Sequence, residues 1–427
     1  MRSHALLDEL RWRGLLYQHT DDVGDALHGD PIGGYAGFDP TGPSLHIGHL
    51  LPVMDLMHLQ RHGHRPVALV GGGTGLIGDP SGRSSERVLA SPEIIASNAA
   101  KIHKQLERFL DFTGPNAARM IDNAEWLTEL RAVEFMRDVG KHFTINYMLQ
   151  KDSVKGRMDA GISYTEFSYM LLQAYDFLEL RRRHDVRLQV GGSDQWGNIT
   201  AGIELIRRTL SSDGHAITSP LVTTAAGTKF GKTEAGAVWL DASMTSPYKF
   251  YQFLVNTDDR DAGKYLRYFT LLPQERIAEL EQALADHADQ REAQFALARE
   301  VTRMVHGAET TETVEEATGI LFNGTALLGL PLEPFEVLKN EIPFFQIKRE
   351  PGWNTISRLI DALTGPEGLF QSKKDAKRAI QQGGFYVNHE RVGPEQSEIA
   401  EGSLLHGRFL LVKKGARNFA LVEVTDG

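Results

Sequence analysis

Two histidines lie three positions apart in Ser44-Leu45-His46-Ile47-Gly48-His49, just after a polar turn, Asp39-Pro40-Thr41. Residues at that spacing on a helix share a face. At a helix start the unpaired backbone N–H groups and the helix dipole already favour an anion. Imidazole N–H groups and the Thr41 hydroxyl can donate to phosphate oxygens, and Gly48 leaves the backbone open to a bulky ligand. The alternatives are two surface histidines or a metal site, though zinc would need a third ligand that no spacing supplies. Far along the chain, Lys229-Phe230-Gly231-Lys232-Thr233 puts two lysines on a glycine-containing loop, where they can act as counter-charges for a leaving pyrophosphate. The Gly-Lys-Thr ending suggests a P-loop, but that motif requires glycine at 226, and the residue is Ala226.

Two further clusters bear on what else binds. Tyr169, Gln173 and Asp176 fall at i, i+4 and i+7 of a helical pattern among Phe167, Met170, Leu171, Leu172, Phe177 and Leu178. A polar stripe on an apolar helix is costly to bury unless each group finds a partner, so it either lines a polar pocket for a small amphiphile or faces water. Gly73-Thr74-Gly75-Leu76-Ile77-Gly78 matches GxGxxG after a strand, which raises the rival reading of a NAD-dependent oxidoreductase. Asp79-Pro80-Ser81-Gly82 follows in place of a helix, so the glycines read as a tight turn with Asp79 at its edge.

The elements around these clusters predict how they are positioned. Gly34 to Asp39 reads as a buried strand, Ile47 to His62 as a helix with Leu50, Met54 and Met57 on one face, and Arg65 to Val70 as a second strand ending in Gly71-Gly72-Gly73. Strand, helix, strand is a βαβ unit, with a parallel sheet and a ligand beyond the carboxyl ends of its strands. Ser91-Pro92-Glu93 opens a helix. Val186–Val190 is a further strand running into Gly191-Gly192-Ser193-Asp194, and Leu221–Thr224 reads as one more. The pattern is then helical to about Phe322. Gly324–Glu350, rich in proline and without a period, reads as a linker. Beyond it, Thr355–Leu363 and Ser372–Gln382 predict short helices, and Phe385 opens a strand-rich remainder. Lys373, Lys374, Lys377, Arg378 and Arg391 against Asp375 and Glu390 make a local positive face, which charge alone reads equally as a surface for an anionic polymer or as a solvated helix face.

The whole composition narrows the classes. The 427 residues favour two or three domains, and 41% hydrophobic with 24% charged content is that of an ordinary folded protein. Cysteine is absent, which excludes disulfides, thiolate catalysis and cysteine-ligated metals. No run approaches the ~20 apolar residues of a membrane span. Asp8 and Glu9 interrupt the first twenty residues, so a cytoplasmic protein without a secretory or transit peptide is expected. A net charge of −10 makes the chain as a whole a poor binder of nucleic acid, while leaving room for a local basic surface.

Taken together, His46-Ile47-Gly48-His49 and Lys229-Phe230-Gly231-Lys232-Thr233 resemble the paired signatures of class I aminoacyl-tRNA synthetases. The second departs from the common Lys-Met-Ser-Lys-Ser form but keeps both lysines. Tyr35 to Asp39, the Tyr169-Gln173-Asp176 stripe and Gly191-Gly192-Ser193-Asp194-Gln195-Trp196-Gly197-Asn198 look like the bacterial tyrosyl-specific branch. The tail from about Thr355 is similar to its S-four-type RNA-binding domain. The tryptophanyl branch shares the fold, but Tyr35 with Asp176 suits a phenol better than an indole.

The resemblance implies an α/β fold. A Rossmann-like parallel-sheet catalytic domain would span 1–245, with a helical dimerisation insertion at about 120–190. An α-helical domain at 246–322, a linker at 323–350 and a small α+β RNA-binding domain at 351–427 would follow. It implies that L-tyrosine, ATP with Mg2+ and tRNA(Tyr) are substrates, that no metal is held by the protein, and that a homodimer forms near Phe143–Tyr164. It assigns Tyr35 and Asp176 to the phenol, Asp79, Tyr169 and Gln173 to the ammonium group, and Gln195 to the carboxylate. For ATP it implies Gly37, Asp39, Thr41, His46, Gly48, His49, Gly192, Asp194, Lys229 and Lys232, with Thr233 completing the loop. Arg83 and Arg87 would help with pyrophosphate, and Lys373, Lys374, Lys377 and Arg378 would meet tRNA.

Overall fold

The computed structural model describes residues 5–81, 89–155, 158, 161–233, 236–322, 327 and 329–426. The chain packs as two compact units, Met1–Ser246 with Phe253–Val305, and Pro247–Gln252 with His306–Gly427. The helices expected as one domain over 246–322 are therefore divided between the two.

The first unit is built on a six-stranded sheet of β1 (Gln18–His19), β2 (Gly33–Phe38), β3 (Arg65–Val70), β4 (Arg119–Asp122), β5 (Val186–Gly192) and β6 (His215–Ser219), in the spatial order β1-β6-β5-β2-β3-β4. The pairs β2–β3, β2–β5, β3–β4 and β5–β6 are parallel, and only β1 joins antiparallel, at the β6 edge. Apart from exposed Gly37 in β2 and half-buried Arg65 at the start of β3, both strands are apolar and buried, as a parallel layer covered by helices requires. The order reverses between β2 and β5, so the loops leaving their carboxyl ends diverge there and open a crevice.

Local chemistry sets the ends of the elements. The helix read from Ile47 begins at Leu50, because Ile47–His49 forms a tighter 3-10 turn closed by the two histidine rings. Ser91 caps the Pro92–Leu106 helix by accepting from Ile94 N–H. Ser163 caps Tyr164–His184 through Glu166 N–H, and Asp185 in the left-handed region (φ 50°) stops it. Gly71 is required by packing, since a Cβ there would lie 2.1 Å from Asp39 Oδ1 and 2.5 Å from Thr74 Oγ1. The Leu221–Thr224 strand expected from sequence does not form. Pro220 has no N–H to continue a ladder, Leu221 is exposed, and the wholly buried strand is the preceding His215–Ser219. The lysine loop instead runs into a small hairpin of β7 (Lys232–Thr233) and β8 (Gly236–Ala237).

The second unit carries a five-stranded sheet of β9 (Phe344–Lys348), β10 (Phe385–Val387), β11 (Glu390–Arg391), β12 (Phe409–Lys414) and β13 (Asn418–Thr425), in the order β11-β10-β12-β13-β9. Residues 333–348, read as part of a linker, hold the helix Glu333–Glu341 and strand β9, which pairs parallel with β13. The prolines that suggested a breaker fit these elements: Pro334 lies in the first turn of the helix, and Pro343 directly precedes the strand. Helices Ile356–Ala362 and Lys373–Gln381, capped by Thr355 and Ser372, pack Leu359, Ile360 and Ile380 into a core with Phe370, Phe385 and Val412.

One buried charge ties the first unit's opening helix to the layer behind the lysine loop. Arg13, 2% exposed, donates to the carbonyls of Arg267 (3.0 Å), Thr270 (2.8 Å) and Leu272 (2.7 Å), and its Nε pairs with Glu9 at 2.7 Å. These carbonyls lie at and beyond the end of the Asp259–Phe269 helix, which lack intrahelical partners. Truncation would leave buried acceptors unpaired. Arg13→Ala is therefore expected to destabilise the first unit by roughly 3 kcal/mol, read as a lower urea midpoint with the slope unchanged.

Candidate active site

A cavity of about 240 Å³ opens at the β2/β5 reversal. β2 and its turn contribute Tyr35, Gly37, Asp39 and Thr41, and the 3-10 turn contributes His49. The glycine turn brings Asp79, the Tyr164–His184 helix brings Tyr169, Gln173 and Asp176, and the end of β5 brings Gly192 and Gln195. The polar stripe therefore faces a pocket, because the helix lays it along the carboxyl edge of the sheet.

At the deep end Asp176 is 2% exposed and accepts from Asn123 Nδ2 and Trp126 Nε1, each at 2.8 Å. Burial pushes its carboxyl well above the usual range, against the pull of those two donors. Asp176 lies near enough to Tyr35 to add to the rise that burial imposes on that phenol. The Tyr35 hydroxyl is buried without a partner, as is Oε1 of Gln189, its neighbour in register on β5. Buried polar atoms of this kind are rare and costly unless a ligand satisfies them.

Nearer the glycine turn, the groups present acceptors. Tyr169 gives its hydroxyl proton to Asp39 Oδ2 at 2.8 Å, so its oxygen offers the cavity lone pairs only. Thr74 donates to Asp39 Oδ1 at 2.7 Å, and Asn123 in turn donates to Thr74 at 2.9 Å, which joins the Asp39 and Asp176 ends of the pocket. Gln195 Nε2 donates to Asp79 Oδ2 at 2.8 Å. Asn198 donates to both Gln173 Oε1 (3.0 Å) and Gln195 Oε1 (3.2 Å). Asp79, the Tyr169 oxygen and Gln173 thus line the cavity with acceptors of the kind that suit a small cation, and Gln195 lies beside them.

The histidine turn adjoins this pocket through His49. The His46 and His49 rings stack 3.8 Å apart at 22°. Nδ1 of His49 accepts from His46 N–H and Nδ1 of His46 from Gly48 N–H, both at 3.1 Å. That places the ring proton on Nε2 in each. Burial lowers both pKa values, His49 to about 3, so both rings are neutral N–H donors at pH 7. Gly48 lies within this turn.

The lysine loop is held by Phe230, whose ring packs 4.5 Å from Tyr265 and 5.0 Å from Phe269. Lys229 and Lys232 are both exposed. Lys232 lies close enough to His46 to oppose its protonation, and Lys229 acts likewise on Asp194. The Thr233 backbone belongs to β7. His46, Gly48, Asp194, Lys229 and Lys232 are not among the residues that line the cavity. Arg83 and Arg87 lie outside the described residues. In the second unit, Lys373, Lys374, Lys377 and Arg378 are exposed along one helix, with Lys373 paired to Asp361 (2.6 Å) and Arg378 to Asp375 (3.6 Å).

Sequence reasoning missed Asn123, Trp126, Asn198, Thr74 and Gln189. Asn198 was reachable, three residues beyond Gln195 on the same helical start. Asn123 and Trp126 lie some fifty positions from Asp176, with no local period to signal them. Among the described residues no group of three metal-ligating side chains gathers, and no helix is long and apolar enough to cross a membrane.

Comparison with known proteins agrees with this geometry. Residues 28–323 match the family of "tRNA synthetases class I (W and Y)", and residues 335–422 match the "Tyrosine--tRNA ligase SYY-like C-terminal domain". The chain is 52% identical over 423 residues to the Tyrosine--tRNA ligase of Roseiflexus castenholzii, covering 98% of this chain and 99% of that one. It is 48% identical over 426 residues to that of Streptomyces coelicolor, at 98% and 99% coverage. A C-terminally truncated mitochondrial tyrosyl-tRNA synthetase from Aspergillus nidulans superposes with a TM-score of 0.68 at 32% identity, over 74% of this chain and 94% of that one. A tryptophanyl-tRNA synthetase from Plasmodium falciparum, at 15% identity and a TM-score of 0.53 over 73% and 88%, shares the fold. With relatives this similar along almost its whole length, the chain belongs to the tyrosine–tRNA ligase family of class I tRNA synthetases.

Proposed function

We propose that the chain joins L-tyrosine to tRNA(Tyr) in two steps, through a tyrosyl-adenylate made from ATP. The observation that carries the amino-acid assignment is the deep end of the cavity. The unpartnered Tyr35 hydroxyl and the buried Asp176 acid stand where a phenol can donate to one and accept from the other. Phenylalanine would leave the Tyr35 hydroxyl dry and unpaired, at about 1–3 kcal/mol, and would give Asp176 no partner beyond Asn123 and Trp126. The substrate ammonium then meets Asp79, Tyr169 and Gln173, and the carboxylate lies by Gln195.

A substrate carboxylate is already ionised at pH 7 and needs no general base. It attacks the α-phosphorus of ATP; a new P–O bond forms there as the bond from the α-phosphorus to the α,β-bridging oxygen breaks, and that oxygen leaves with pyrophosphate. The protein's part is positioning and stabilisation of charge. Thr41 and the Nε2–H of His46 meet the terminal phosphates, His49 and Asp194 the ribose region, and Lys229 and Lys232 the departing pyrophosphate. Gly37 and Gly192 keep the backbone low beside the nucleotide, with Asp39 fixing the Tyr169 ring. ATP enters as its magnesium complex, so the metal comes with the substrate. A terminal ribose hydroxyl of tRNA then attacks the tyrosyl carbonyl and expels AMP.

Three parts of the reading concern assembly. The apolar side chains of Val133, Met136, Ile145 and Tyr164, all exposed on the helical insertion, support a homodimer formed through that region. The cationic helix at Lys373–Gln381 supports tRNA binding by the carboxyl-terminal region. With a tRNA substrate and bacterial relatives, the enzyme is read as cytoplasmic.

Tyrosine-dependent exchange of pyrophosphate into ATP, with phenylalanine and tryptophan as controls, tests the whole reading; exchange driven equally by all three would refute it. Asp176→Ala is expected to erode the preference for tyrosine over phenylalanine, measured as the ratio of their exchange kcat/KM values, and an unchanged ratio removes Asp176 from the phenol site. His46→Ala and Lys232→Ala are expected to slow adenylate formation by about 10²–10³-fold with little change in tyrosine affinity. A variant showing only a raised tyrosine KM would not have the assigned role.

A further inference from the structure

The segment that follows the lysine loop is hydrogen-bonded to both phosphate-facing clusters. Val238 N–H donates to the Gly231 carbonyl at 3.0 Å, and the Val238 carbonyl accepts from Ile47 N–H at 2.8 Å. Leu240 N–H continues to the Leu45 carbonyl at 2.9 Å, and Trp239 forms an antiparallel bridge with His46. Residues 238–240 therefore stand between the histidine turn and the lysine loop and bond to each. The seating is tight. Gly231 has φ +79°, and a Cβ there would lie 2.4 Å from Ile47 Cγ2, inside any real carbon contact. The Trp239 ring lies 6.2 Å from that of His46 and would meet a Cβ at Gly42 at 3.6 Å, so it also bears on the turn that precedes the histidines.

We infer that Gly231 and Trp239 are positioning residues for adenylate formation: the 238–240 strap fixes the spacing of His46 from Lys232, and glycine at 231 is what lets the loop seat on Ile47. The inference rests on the ligase reading, in which both side chains must meet one triphosphate. Lysine is a long, flexible side chain, so the placement of its charge depends on where its backbone is held. A side chain at 231 must lift the loop off Ile47. A displacement of about 1 Å at a charge-stabilising group can cost 10²-fold in rate.

The test uses the full chain and pyrophosphate exchange, with tyrosine affinity measured separately by equilibrium binding. Gly231→Ala and Trp239→Ala are each expected to lower the exchange kcat by at least about tenfold while tyrosine affinity stays within about twofold. A second comparison separates positioning from general damage. If Gly231 acts through Lys232, adding Gly231→Ala to Lys232→Ala slows exchange no further than about twofold. Unchanged kcat in both single variants, equal losses of rate and tyrosine affinity, or full multiplication of the two defects would each overturn the inference. Should Gly231→Ala lose tyrosine binding through misfolding, Trp239→Ala decides by the same criteria. A parent protein without tyrosine-dependent exchange would instead sink the ligase reading and leave the strap geometry untouched.

Discussion

The site exists because the parallel sheet changes direction. Chain leaving β2 turns toward β3 and chain leaving β5 turns toward β6, so nothing bridges their carboxyl ends and a crevice remains between them. Every group in the pocket is reached from that edge: the Asp39 turn, the Gly71–Gly73 run, the Gly191–Gly192 end of β5 and the helix laid across them. The crevice stays narrow because Gly71 lets the glycine turn approach Asp39 closely. A wider gap would admit water and weaken each hydrogen bond on which recognition depends.

Holding a carboxyl group in such a place is expensive, and the structure offsets the cost without using up the group. Asn123 and Trp126 each satisfy one oxygen of Asp176, which leaves further lone pairs directed elsewhere. Tyr169 shows the same economy, since its proton is committed to Asp39 while its oxygen stays available. The donor and acceptor character of each part of the cavity is thus set before a ligand arrives. On the proposed reading, a phenol at one end and an ammonium group at the other are selected by what the walls lack. Preorganisation of this kind makes the wrong ligand leave groups unpaired, a larger penalty than a missing attraction.

The sequence alone revealed the residues whose relations are local. Tyr169, Gln173 and Asp176 share a helix face, the two histidines share a turn, and strands β2, β3 and β5 are apolar runs closed by glycine or a polar turn. Misreadings arose where context overrides composition. Leu221–Thr224 has the β-branched character of a strand, but Pro220 ends the ladder and the strand is His215–Ser219, whose polar residues find partners in the fold. Residues 333–348 looked like a linker because proline marks both chain breaks and starts of elements. Asn123 and Trp126 left no trace, since their role is created by a contact about fifty residues distant. The strap at 238–240 was equally hidden, being a matter of backbone hydrogen bonds that side-chain types do not report.

The electrostatic division between the turn and the loop follows from burial. His46 and His49 sit where desolvation keeps them neutral, so they offer directed N–H groups without a standing charge. A cation fixed there would bind ATP and the transition state alike, and binding both equally does nothing for the rate of the chemical step. The full charges are carried instead by Lys229 and Lys232, exposed to water and screened until a phosphate displaces that water. Their attraction grows as negative charge gathers on the leaving group, when it lowers the barrier. On the proposed reading, neutral donors on the turn and cations on the seated loop divide the work: one fixes where the triphosphate lies, and the other responds to where its charge goes.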